Sequence, residues 1–286
     1  MTRSVLGALD DTALHVMTLN VRRPLGRLAW RRADRWSRRR PLLAAMLADE
    51  RPALVGCQEV VPSQARVIAD ALGPEYRRIG SGRTASPTSE GCAIFFDSGR
   101  LEVQEWHQSA LSDSPDERGS RSWGNPFPRV LVTAVFRDRR TGARFAMLNT
   151  HLDPLSPRSR VRSALRIRET VAAAGLPAIV TGDANEAIGG PTSRALFHGG
   201  GLLDAWPAAD VRVTPEWRTF ADYRPPRPGP RIDWIAVTPE VHVWAVAIDG
   251  RAVSVDASPG DNSRIEGWPS DHLAVHAAVT IPGGSS

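Results

Sequence analysis

The sequence predicts an α/β fold in which two β-sheets pack face to face and helices cover their outer faces. Short apolar runs that suit buried strands recur through most of the 286 residues. Their order is mixed, because strands and helices alternate at first, a meander of strands follows, and the last third is rich in strands. No low-complexity linker or change in composition lies between residues 14 and 281. We therefore expect one domain over residues 1–286, with an ordered core at about 12–282.

The individual elements follow from these runs in chain order. The apolar runs predict strands near residues 14–20, 53–58, 75–80, 91–96, 101–107, 129–137, 144–150, 177–182, 232–238, 242–249 and 273–280. Helices are predicted near residues 38–50, 62–72, 158–174 and 192–199. In the third helix the apolar stripe consists of Val161, Leu165, Ile167 and Val171. Long surface loops are expected at 110–128 and 223–230, and loops of that length often serve function.

The composition limits the class of protein. The apolar fraction of 42% is normal for a globular chain, and no run approaches the roughly 18 apolar residues of a membrane span. Because no basic segment is followed by an apolar one near the N-terminus, we expect no secretory signal and a cytoplasmic location. Cys57 and Cys92 lie in or beside apolar runs, which favours two buried thiols over a disulfide. Every basic residue is arginine, and the net charge of +5 indicates affinity for anions without singling out nucleic acid.

The stretch from Ala178 to Asn185 is the most informative part of the chain. Apolar strand residues run into Gly182, and Asp183 and Asn185 follow two positions apart. Because a strand alternates its side chains, both polar groups can point the same way where the strand ends. A carboxylate beside a carboxamide suits holding a water molecule or a phosphate oxygen. Taken alone, the same residues could also form an ordinary Asx turn.

A strand-like run with a polar side chain at one end recurs five more times. Several strands that deliver polar groups to a common rim are typical of α/β sites. Oxygen ligands suit a hard cation, and the absence of spaced cysteines favours Mg²⁺ or Mn²⁺ over Zn²⁺. No serine or cysteine lies in a nucleophile motif, so we expect attack by water. The polar residues are Asn20, Glu59, His151 with Asp153, Asp233, and Asp271 with His272.

The motifs resemble those of the endonuclease/exonuclease/phosphatase superfamily, the metal-dependent phosphoesterases related to DNase I. Their order and spacing agree as well, and they span nearly the whole chain. The resemblance implies a DNase I-like, four-layer α/β sandwich in which two mixed sheets are flanked by helices. It also implies a Mg²⁺-dependent phosphoric ester hydrolase, for which Mn²⁺ could substitute. The matching motifs are Thr18-Leu19-Asn20, Gln58-Glu59, Thr150-His151-Leu152-Asp153, Gly182-Asp183-Ala184-Asn185, Arg231-Ile232-Asp233-Trp234-Ile235 and Ser270-Asp271-His272.

The resemblance further implies which residues hold the metal ion and the nucleophile. Glu59 is expected to be the principal metal ligand, assisted by Asn20 and, on some interpretations, by Asp271. Asp183 would orient or deprotonate the attacking water, and Asn185 would help to hold the phosphate.

The remaining motif residues are expected to contact the substrate. His272 would contact a phosphate oxygen, with Asp233 fixing its tautomer and favouring its charged form. His151 would supply a second donor to the phosphate or to the leaving group. Segments like those of short bacterial members carry Arg129 and Arg160, which we expect to bind substrate together with Asp153.

The substrate stays open at this stage: nucleic acid, a nucleotide, a phospholipid, and a sugar or inositol phosphate all fit. An inactive binding or scaffold protein of the same fold is an alternative, although it predicts broken motifs and these are intact. The arginines from Arg22 to Arg40, with Trp30 and Trp36 among them, indicate an anionic substrate larger than a lone phosphate, or else a solvated loop. Trp123 and Trp206 could line a substrate cleft or pack in the core. No obligate protein partner is evident.

Overall fold

The computed structural model describes residues 4–256 and 264–283, and it confirms the four-layer α/β sandwich. The other positions of the predicted domain, 1–3, 257–263 and 284–286, lie outside the described residues. The strands are β1 (Leu14–Asn20), β2 (Leu54–Val60), β3 (Tyr76–Ile79), β4 (Gly91–Asp97), β5 (Leu101–Ala110), β6 (Val130–Asp138), β7 (Arg144–His151), β8 (Ala178–Asp183), β9 (Leu203–Asp204), β10 (Val211–Arg212), β11 (Asp233–Val237), β12 (His242–Asp249), β13 (Val253–Asp256), β14 (Arg264–Gly267) and β15 (Ala274–Thr280). The α-helices are α1 (Trp36–Glu50), α2 (Pro62–Leu72), α3 (Pro157–Ala174), α4 (Pro191–Phe197) and α5 (Ala205–Ala208).

Two mixed sheets form the centre of the molecule. The first has seven strands in the order β10-β12-β15-β1-β2-β4-β3, and the second has six in the order β5-β6-β7-β8-β11-β9. In the first sheet β1 runs parallel to β2 and antiparallel to β15. In the second, β7 runs parallel to β8, and β11 runs antiparallel to β8. A separate hairpin pairs β13 with β14.

The layers follow from the alternation of side chains along each strand. On β1, Leu14 and Val16 lie in the core between the sheets, whereas Met17 and Leu19 pack with the residues of α1 and α2. Because both faces of this strand are covered, all seven of its residues are buried. The helices α3 and α4 cover the outer face of the second sheet in the same way.

A polar contact joins the two sheets in their shared core. Asn149 of β7 donates from Nδ2 to the carbonyl oxygen of Cys57 at 2.9 Å, and its Oδ1 accepts from Gln58 Nε2 at 2.8 Å. Gly56 permits this close approach, because a Cβ atom there would lie 2.1 Å from Thr181 Oγ1. Buried polar groups are costly without partners, so this contact restricts how the two sheets can be placed against each other.

All eleven predicted strands and all four predicted helices are present, with ends shifted by up to three residues. The prediction missed β9 and β10, which have two residues each, and also β13, β14 and α5. Such short elements carry no periodic pattern, and the β13–β14 hairpin has no fully buried position. On α3, Val161 and Leu165 are only half-buried, and the predicted stripe was wrong there, because small residues such as Ser163 and Ala164 take the buried positions.

Two further expectations concern the cysteines and the membrane. Cys57 and Cys92 are both buried free thiols, as predicted, and burial raises the pKa of each. Among residues 4–256 and 264–283, none of the helices combines the length and the apolar character needed to cross a bilayer.

Candidate active site

The strand topology brings the predicted polar residues to one edge of the sandwich. Parallel strands end at the same edge of a sheet. Asn20, the last residue of β1, therefore lies beside the end of β2. In the second sheet, His151 and Asp183 are paired at the ends of β7 and β8. The antiparallel strand β11 begins at this edge, and its Asp233 pairs with Asp183. His272 lies just before β15, which begins beside the end of β1.

Asp183 lies at the centre of the site and is 1% exposed. Its Oδ2 accepts a hydrogen bond from Asn20 Nδ2 at 3.1 Å. The same oxygen lies 3.5 Å from His151 Nε2 and 3.8 Å from His272 Nε2. Burial and the neighbouring carboxylate of Asp233 raise the pKa of Asp183 above its usual value, although the two imidazoles and Asn20 oppose this shift. A carboxylate with a raised pKa is a better proton acceptor than an exposed one.

His272 and Asp233 form a buried hydrogen-bonded pair. The distance from His272 Nδ1 to Asp233 Oδ2 is 2.9 Å, so Nε2 is the ring nitrogen on the side of Asp183. Burial opposes a charge on the ring, yet Asp233 and Asp183 raise the pKa of His272 to about 10. Thr219 Oγ1 accepts from the backbone N–H of Asp233 at 3.1 Å and helps to fix this strand end. His272 is therefore a cationic donor at neutral pH.

His151 differs from His272 in its charge state, although both rings are buried. Burial lowers the pKa of His151 to about 4; Asp183 and Glu59 favour the charged form, and nearby Arg129 and His272 oppose it. The site therefore holds a neutral imidazole and a cationic one on either side of Asp183.

Glu59 and Asn20 form the part of the site nearest to the first loop. Glu59 has φ of +61°, an uncommon conformation for a residue with a side chain, at an irregular position in the pairing of β2 with β4. Its Oε1 accepts from Asn20 Nδ2 at 3.1 Å, and its Oε2 accepts from the backbone N–H of Arg23 at 2.9 Å. Burial opposes ionisation, but His151, these donors and Arg22 lower the pKa of Glu59 to about 2. Glu59 is ionised throughout the physiological range.

Asp271 lies in the segment just before β15 and is next to Arg22, which follows β1. Its Oδ1 lies 3.2 Å from Ser270 Oγ, and its Oδ2 lies 3.4 Å from Arg22 Nε. Burial raises its pKa, Glu59 adds to the rise, and His272, Arg22 and Arg39 oppose it. Asp271 and Glu59 thus repel one another across a buried space.

Asn185 lies one turn beyond Asp183 in the left-handed backbone region, with φ of +50°. Its backbone N–H donates to Asp183 Oδ1 at 2.9 Å, which is the Asx turn that the sequence also allowed. Its Nδ2 donates to the carbonyl oxygen of Leu152 at 2.9 Å. The Asx turn is thus part of the site, because its hydrogen bond fixes the carboxylate of Asp183.

The three residues expected to bind substrate form a connected network beside His151. Arg129 Nε donates to Asp153 Oδ2 at 3.2 Å, and Asp153 Oδ1 accepts from the backbone N–H groups of residues 155 and 156. Arg160 donates from Nη1 to the carbonyl oxygen of Asp153 at 2.9 Å and lies 3.4 Å from Glu186. Asp153 is fully buried with both oxygens engaged, so its contacts position Arg129. Arg129 and His151 line a small cavity next to Glu59.

Sequence reasoning missed several residues that support this edge. Arg39 is fully buried and donates to the carbonyl oxygens of Val21 and Arg22, which fixes the loop after β1. Ser270 donates to the carbonyl oxygen of Asn20 at 2.6 Å and joins the first and last strands. A buried arginine within a run of arginines carries no sequence signal of its own, whereas Ser270 lies inside a matched motif and could have been selected.

The arginine segment from Arg22 to Arg40 therefore contains arginines that are held by contacts within the protein and others that are exposed. Besides buried Arg39, Arg31 forms an ion pair with Asp222, and Arg23 forms one with Glu90. Trp30 is 83% exposed, and neighbouring arginines at positions 27, 32 and 35 are exposed as well. Trp123 and Trp206 are both buried, so they pack in the core.

The donor set at this edge fits a divalent cation. Glu59 is ionised, Asp271 lies close to it, and the amide of Asn20 is next to both Glu59 and Asp183. Buried carboxylates that raise one another's pKa form a site that a cation would stabilise. Atoms of Asp183, Asp233 and His272 also lie within 4.8 Å of each other. That second group is less suited to a metal ion, because Asp233 already occupies His272 Nδ1 and the ring is cationic.

Solved structures match most of the chain. None of the curated proteins matches it. Among solved structures, the chain is similar to an endonuclease/exonuclease/phosphatase family protein from Bacteroides thetaiotaomicron, with 30% identity, a TM-score of 0.85, and coverage of 96% of this chain and 99% of that chain. It is also similar to a mannosyl-6-phosphatase of the same organism, with 29% identity, a TM-score of 0.85, and coverage of 94% and 100%.

More distant structures share the fold. The structure of D. rerio TDP2 complexed with a single-strand DNA product has 17% identity and a TM-score of 0.67, and covers 94% of this chain and 100% of that chain. The sequence model of the Endonuclease/Exonuclease/phosphatase family matches residues 17–272. This match includes every motif at the edge of the sandwich that holds Asn20, Glu59, His151, Asp183, Asp233 and His272, which we call the catalytic edge. The chain therefore belongs to the endonuclease/exonuclease/phosphatase family.

Proposed function

We propose that this protein is a metal-dependent phosphoesterase that hydrolyses its substrate by direct attack of water. The observation that supports this most is the environment of Asp183. Its carboxylate lies between a neutral imidazole, His151, and a cationic one, His272, beside the ionised carboxylate of Glu59. This arrangement offers a proton acceptor for water and a positive donor for phosphate in one buried space.

Asp183 is proposed to orient the attacking water and accept its proton. Burial and Asp233 raise its pKa, which makes it a stronger base than an exposed aspartate. Asn20 Nδ2 and the backbone N–H of Asn185 each hold one oxygen of Asp183, so the carboxylate is fixed before substrate arrives. The side chain of Asn185 is proposed to contact the phosphate.

His272 is proposed to donate from Nε2 to a non-bridging phosphate oxygen. Because Asp233 holds Nδ1 and raises the pKa to about 10, the ring keeps its positive charge at neutral pH. Charge grows on the phosphoryl oxygens as water attacks, so a fixed cationic donor stabilises the transition state more than the ground state. His151, which is neutral, is proposed to donate a hydrogen bond to the phosphate or to the leaving oxygen.

Glu59, Asn20 and Asp271 are proposed to hold Mg²⁺, for which Mn²⁺ could substitute. Oxygen ligands and an ionised carboxylate fit a hard cation that binds substrate phosphate at the same time. When bound, such an ion would offset the negative charge of the phosphate.

Arg129 is proposed to contact the anionic substrate, with Asp153 and Arg160 holding it in place. The small cavity that it lines shares Arg83 with a cleft of about 250 Å³, which includes Trp106 and Gln108. Trp106 is half exposed, and an aromatic surface beside polar side chains suits the ring of a sugar. Together with the 29% identity to a mannosyl-6-phosphatase, this favours a sugar phosphate as substrate.

Nucleic acid is the second candidate substrate, and exposed Trp30 among exposed arginines favours it. A substrate panel decides between the two. It would contain hexose 6-phosphates, bis-p-nitrophenyl phosphate, nucleotides, and single- and double-stranded DNA, each assayed with Mg²⁺, with Mn²⁺ and with EDTA.

The expected result is metal-dependent hydrolysis, seen as release of phosphate from monoesters and as release of p-nitrophenol or shortened strands from diesters, that EDTA abolishes and Glu59→Gln removes. Glu240→Gln, which changes an exposed glutamate, is the matched control and should behave as the wild type. Hydrolysis that persists in Glu59→Gln, or no hydrolysis of any substrate with either metal ion, would contradict the proposed function.

A further inference from the structure

A second buried cluster of histidine and glutamate lies along β1 and β15, away from the ends of these strands that border the candidate active site. His15 and His276 come from these neighbouring antiparallel strands, and Glu50 is the last residue of α1. The distance from His15 Nε2 to His276 Nδ1 is 2.9 Å, and His276 Nδ1 lies 3.9 Å from Glu50 Oε2. One ligand atom from each residue lies within 4.8 Å of the other two. Three side chains of the types that commonly bind metal ions thus lie close together.

This cluster is separate from the predicted active site. His15 precedes Asn20 by five positions on the same strand, which corresponds to about 16 Å of extended chain. No residue of the proposed phosphoesterase site belongs to the cluster. The cluster therefore needs its own explanation.

Both imidazoles are suited to binding a metal ion as neutral ligands. Burial and the neighbouring His276 lower the pKa of His15 well below its ordinary value, although the backbone of Glu50 opposes this. Burial likewise lowers the pKa of His276. Within the described part of the chain, His276 Nε2 is buried without a hydrogen-bond partner. The facing nitrogens, His15 Nε2 and His276 Nδ1, share one proton in a hydrogen bond, and both offer lone pairs to a metal ion when each neutral ring carries its proton on its other nitrogen.

Glu50 is held so that one of its oxygens faces the imidazoles. Its Oε1 accepts from the backbone N–H of Val5 at 2.9 Å and from Arg251. Its Oε2, the oxygen nearest to His276, accepts from Ser4 Oγ at 2.8 Å. Hydrogen bonds to the far oxygen of a carboxylate commonly orient it toward a metal ion. Asp249 pairs with Arg251 and offsets the positive charge that Arg251 brings to the cluster.

An ion could enter this cluster from the surface. A cleft of about 360 Å³ is lined by His15, Glu50 and Ser4, together with the acidic residues Asp10 and Asp11. A polar cleft of this size holds water, which can supply a further ligand.

We propose that His15, His276 and Glu50 form a second metal site that takes Zn²⁺ or a similar transition-metal ion, with water from the cleft as the fourth ligand. Two nitrogen ligands and one carboxylate oxygen are a common zinc set, whereas Mg²⁺ prefers oxygen alone. Zinc–nitrogen bonds of about 2.0–2.1 Å require movements of less than about 1 Å from the observed distances. Because Ser4 and Val5 bind Glu50, the ion would fix the N-terminal segment to the sheet.

Zinc titration of the full-length chain tests this proposal. The protein would be stripped with a chelator, transferred into saturating Mg²⁺, and titrated with Zn²⁺ by calorimetry. We expect one zinc ion per chain, and affinity weakened on the order of a hundredfold in His15→Gln and in His276→Gln. The matched control His198→Gln, which lies outside the cluster, should bind zinc as the wild type does. All three variants should keep their Mg²⁺-dependent hydrolysis.

Two outcomes would overturn the proposal. One is the absence of zinc uptake by the wild type under these conditions. The other is zinc uptake that His272→Gln abolishes and His15→Gln preserves, because the ion would then lie at the other cluster. If the cluster variants do not fold, the visible spectrum of Co²⁺ bound to the wild type is measured instead. A spectrum of four-coordinate Co²⁺ with nitrogen and oxygen ligands supports the site, and an octahedral spectrum contradicts it. None of these readouts requires the proposed phosphoesterase activity.

Discussion

Two buried histidine clusters lie along the same pair of strands, one at the catalytic edge and one within the strands, and they differ in charge. At the catalytic edge burial opposes protonation of His272, but the negative charges of Asp233 and Asp183, together with the hydrogen bond that His272 Nδ1 donates to Asp233, raise its pKa to about 10. At the second cluster burial prevails and lowers the pKa of His15 and His276. Glu50, 3.9 Å from His276, and Asp249 oppose the shift of His276, but both carboxylates are paired with Arg251. A carboxylate in direct contact therefore outweighs burial, whereas a more distant and shared one does not.

The two clusters also differ in how many segments build them. The catalytic edge collects polar groups from six strand ends, and its buried carboxylates repel one another. The other cluster takes its three groups from two strands and the end of α1, and Arg251 already compensates its carboxylate. Buried carboxylates that repel one another are a group that a cation would stabilise, and this distinguishes the catalytic edge from the second cluster.

The largest effect is expected at Asp183. Asp183→Asn keeps the shape of the side chain but removes the base, so hydrolysis should fall on the order of a thousandfold. Steady-state kinetics with the best substrate of the panel would measure this. Asp256→Asn, at an exposed position, should leave the rate unchanged. A loss of less than tenfold in Asp183→Asn would show that the charge at the catalytic edge does not serve to activate water.

The next largest effect is expected at Asp233 and depends on pH. Asp233→Asn removes the carboxylate that raises the pKa of His272, so this pKa should fall from about 10 toward the ordinary value of about 6.5. At pH 8.5 the cationic fraction, and with it kcat/KM, should then decrease about a hundredfold, whereas at pH 6 the loss should be small. A complete pH profile of both proteins measures the shift. An equal loss at every pH would mean that Asp233 acts only on the structure.

The catalytic edge was largely predictable from the sequence, and the other cluster was not. Asn20, Glu59 and Asp183 each stand where an apolar run ends, and parallel strands place such ends together, so a sequence pattern carries the geometry. His15 and His276 lie inside strands among apolar residues, and no pattern shows that residues 261 positions apart face each other. Their pairing depends on the strand register.

The supporting contacts of the catalytic edge were equally hidden. Arg39 appears in the sequence as one arginine of a basic run, yet it is fully buried and fixes the loop after β1. Asp153, which the sequence predicts to bind substrate, is a fully buried carboxylate that accepts a hydrogen bond from Arg129, and the sequence carries no sign of this contact. Which member of a charged group turns inward is decided by packing between elements that are distant in sequence.

A smaller effect is expected where the two sheets meet. Gly56→Ala would place a Cβ atom 2.1 Å from Thr181 Oγ1, next to the contact between Asn149 and Gln58. We expect the free energy of unfolding to fall by about 2 kcal/mol, because neighbouring strands must move apart. Urea denaturation would measure this, and Gly201→Ala, which has open space around it, should change stability little. Equal stability of both variants would show that the sheets are not held at this distance.

The smallest effect is expected at His15 and concerns acid stability. Because the pKa of His15 is lowered in the folded protein, the unfolded chain binds the proton first as pH falls, and stability decreases below the unfolded pKa of about 6.5. With metal ions chelated, replacing this residue by glutamine should reduce the loss of unfolding free energy between pH 6.5 and 5.5 by about 1 kcal/mol. Urea denaturation at several pH values measures the slope, and His198→Gln should retain the slope of the wild type. A wild-type slope in His15→Gln would mean that this ring is charged in the folded protein, and the difference between the two clusters would then disappear.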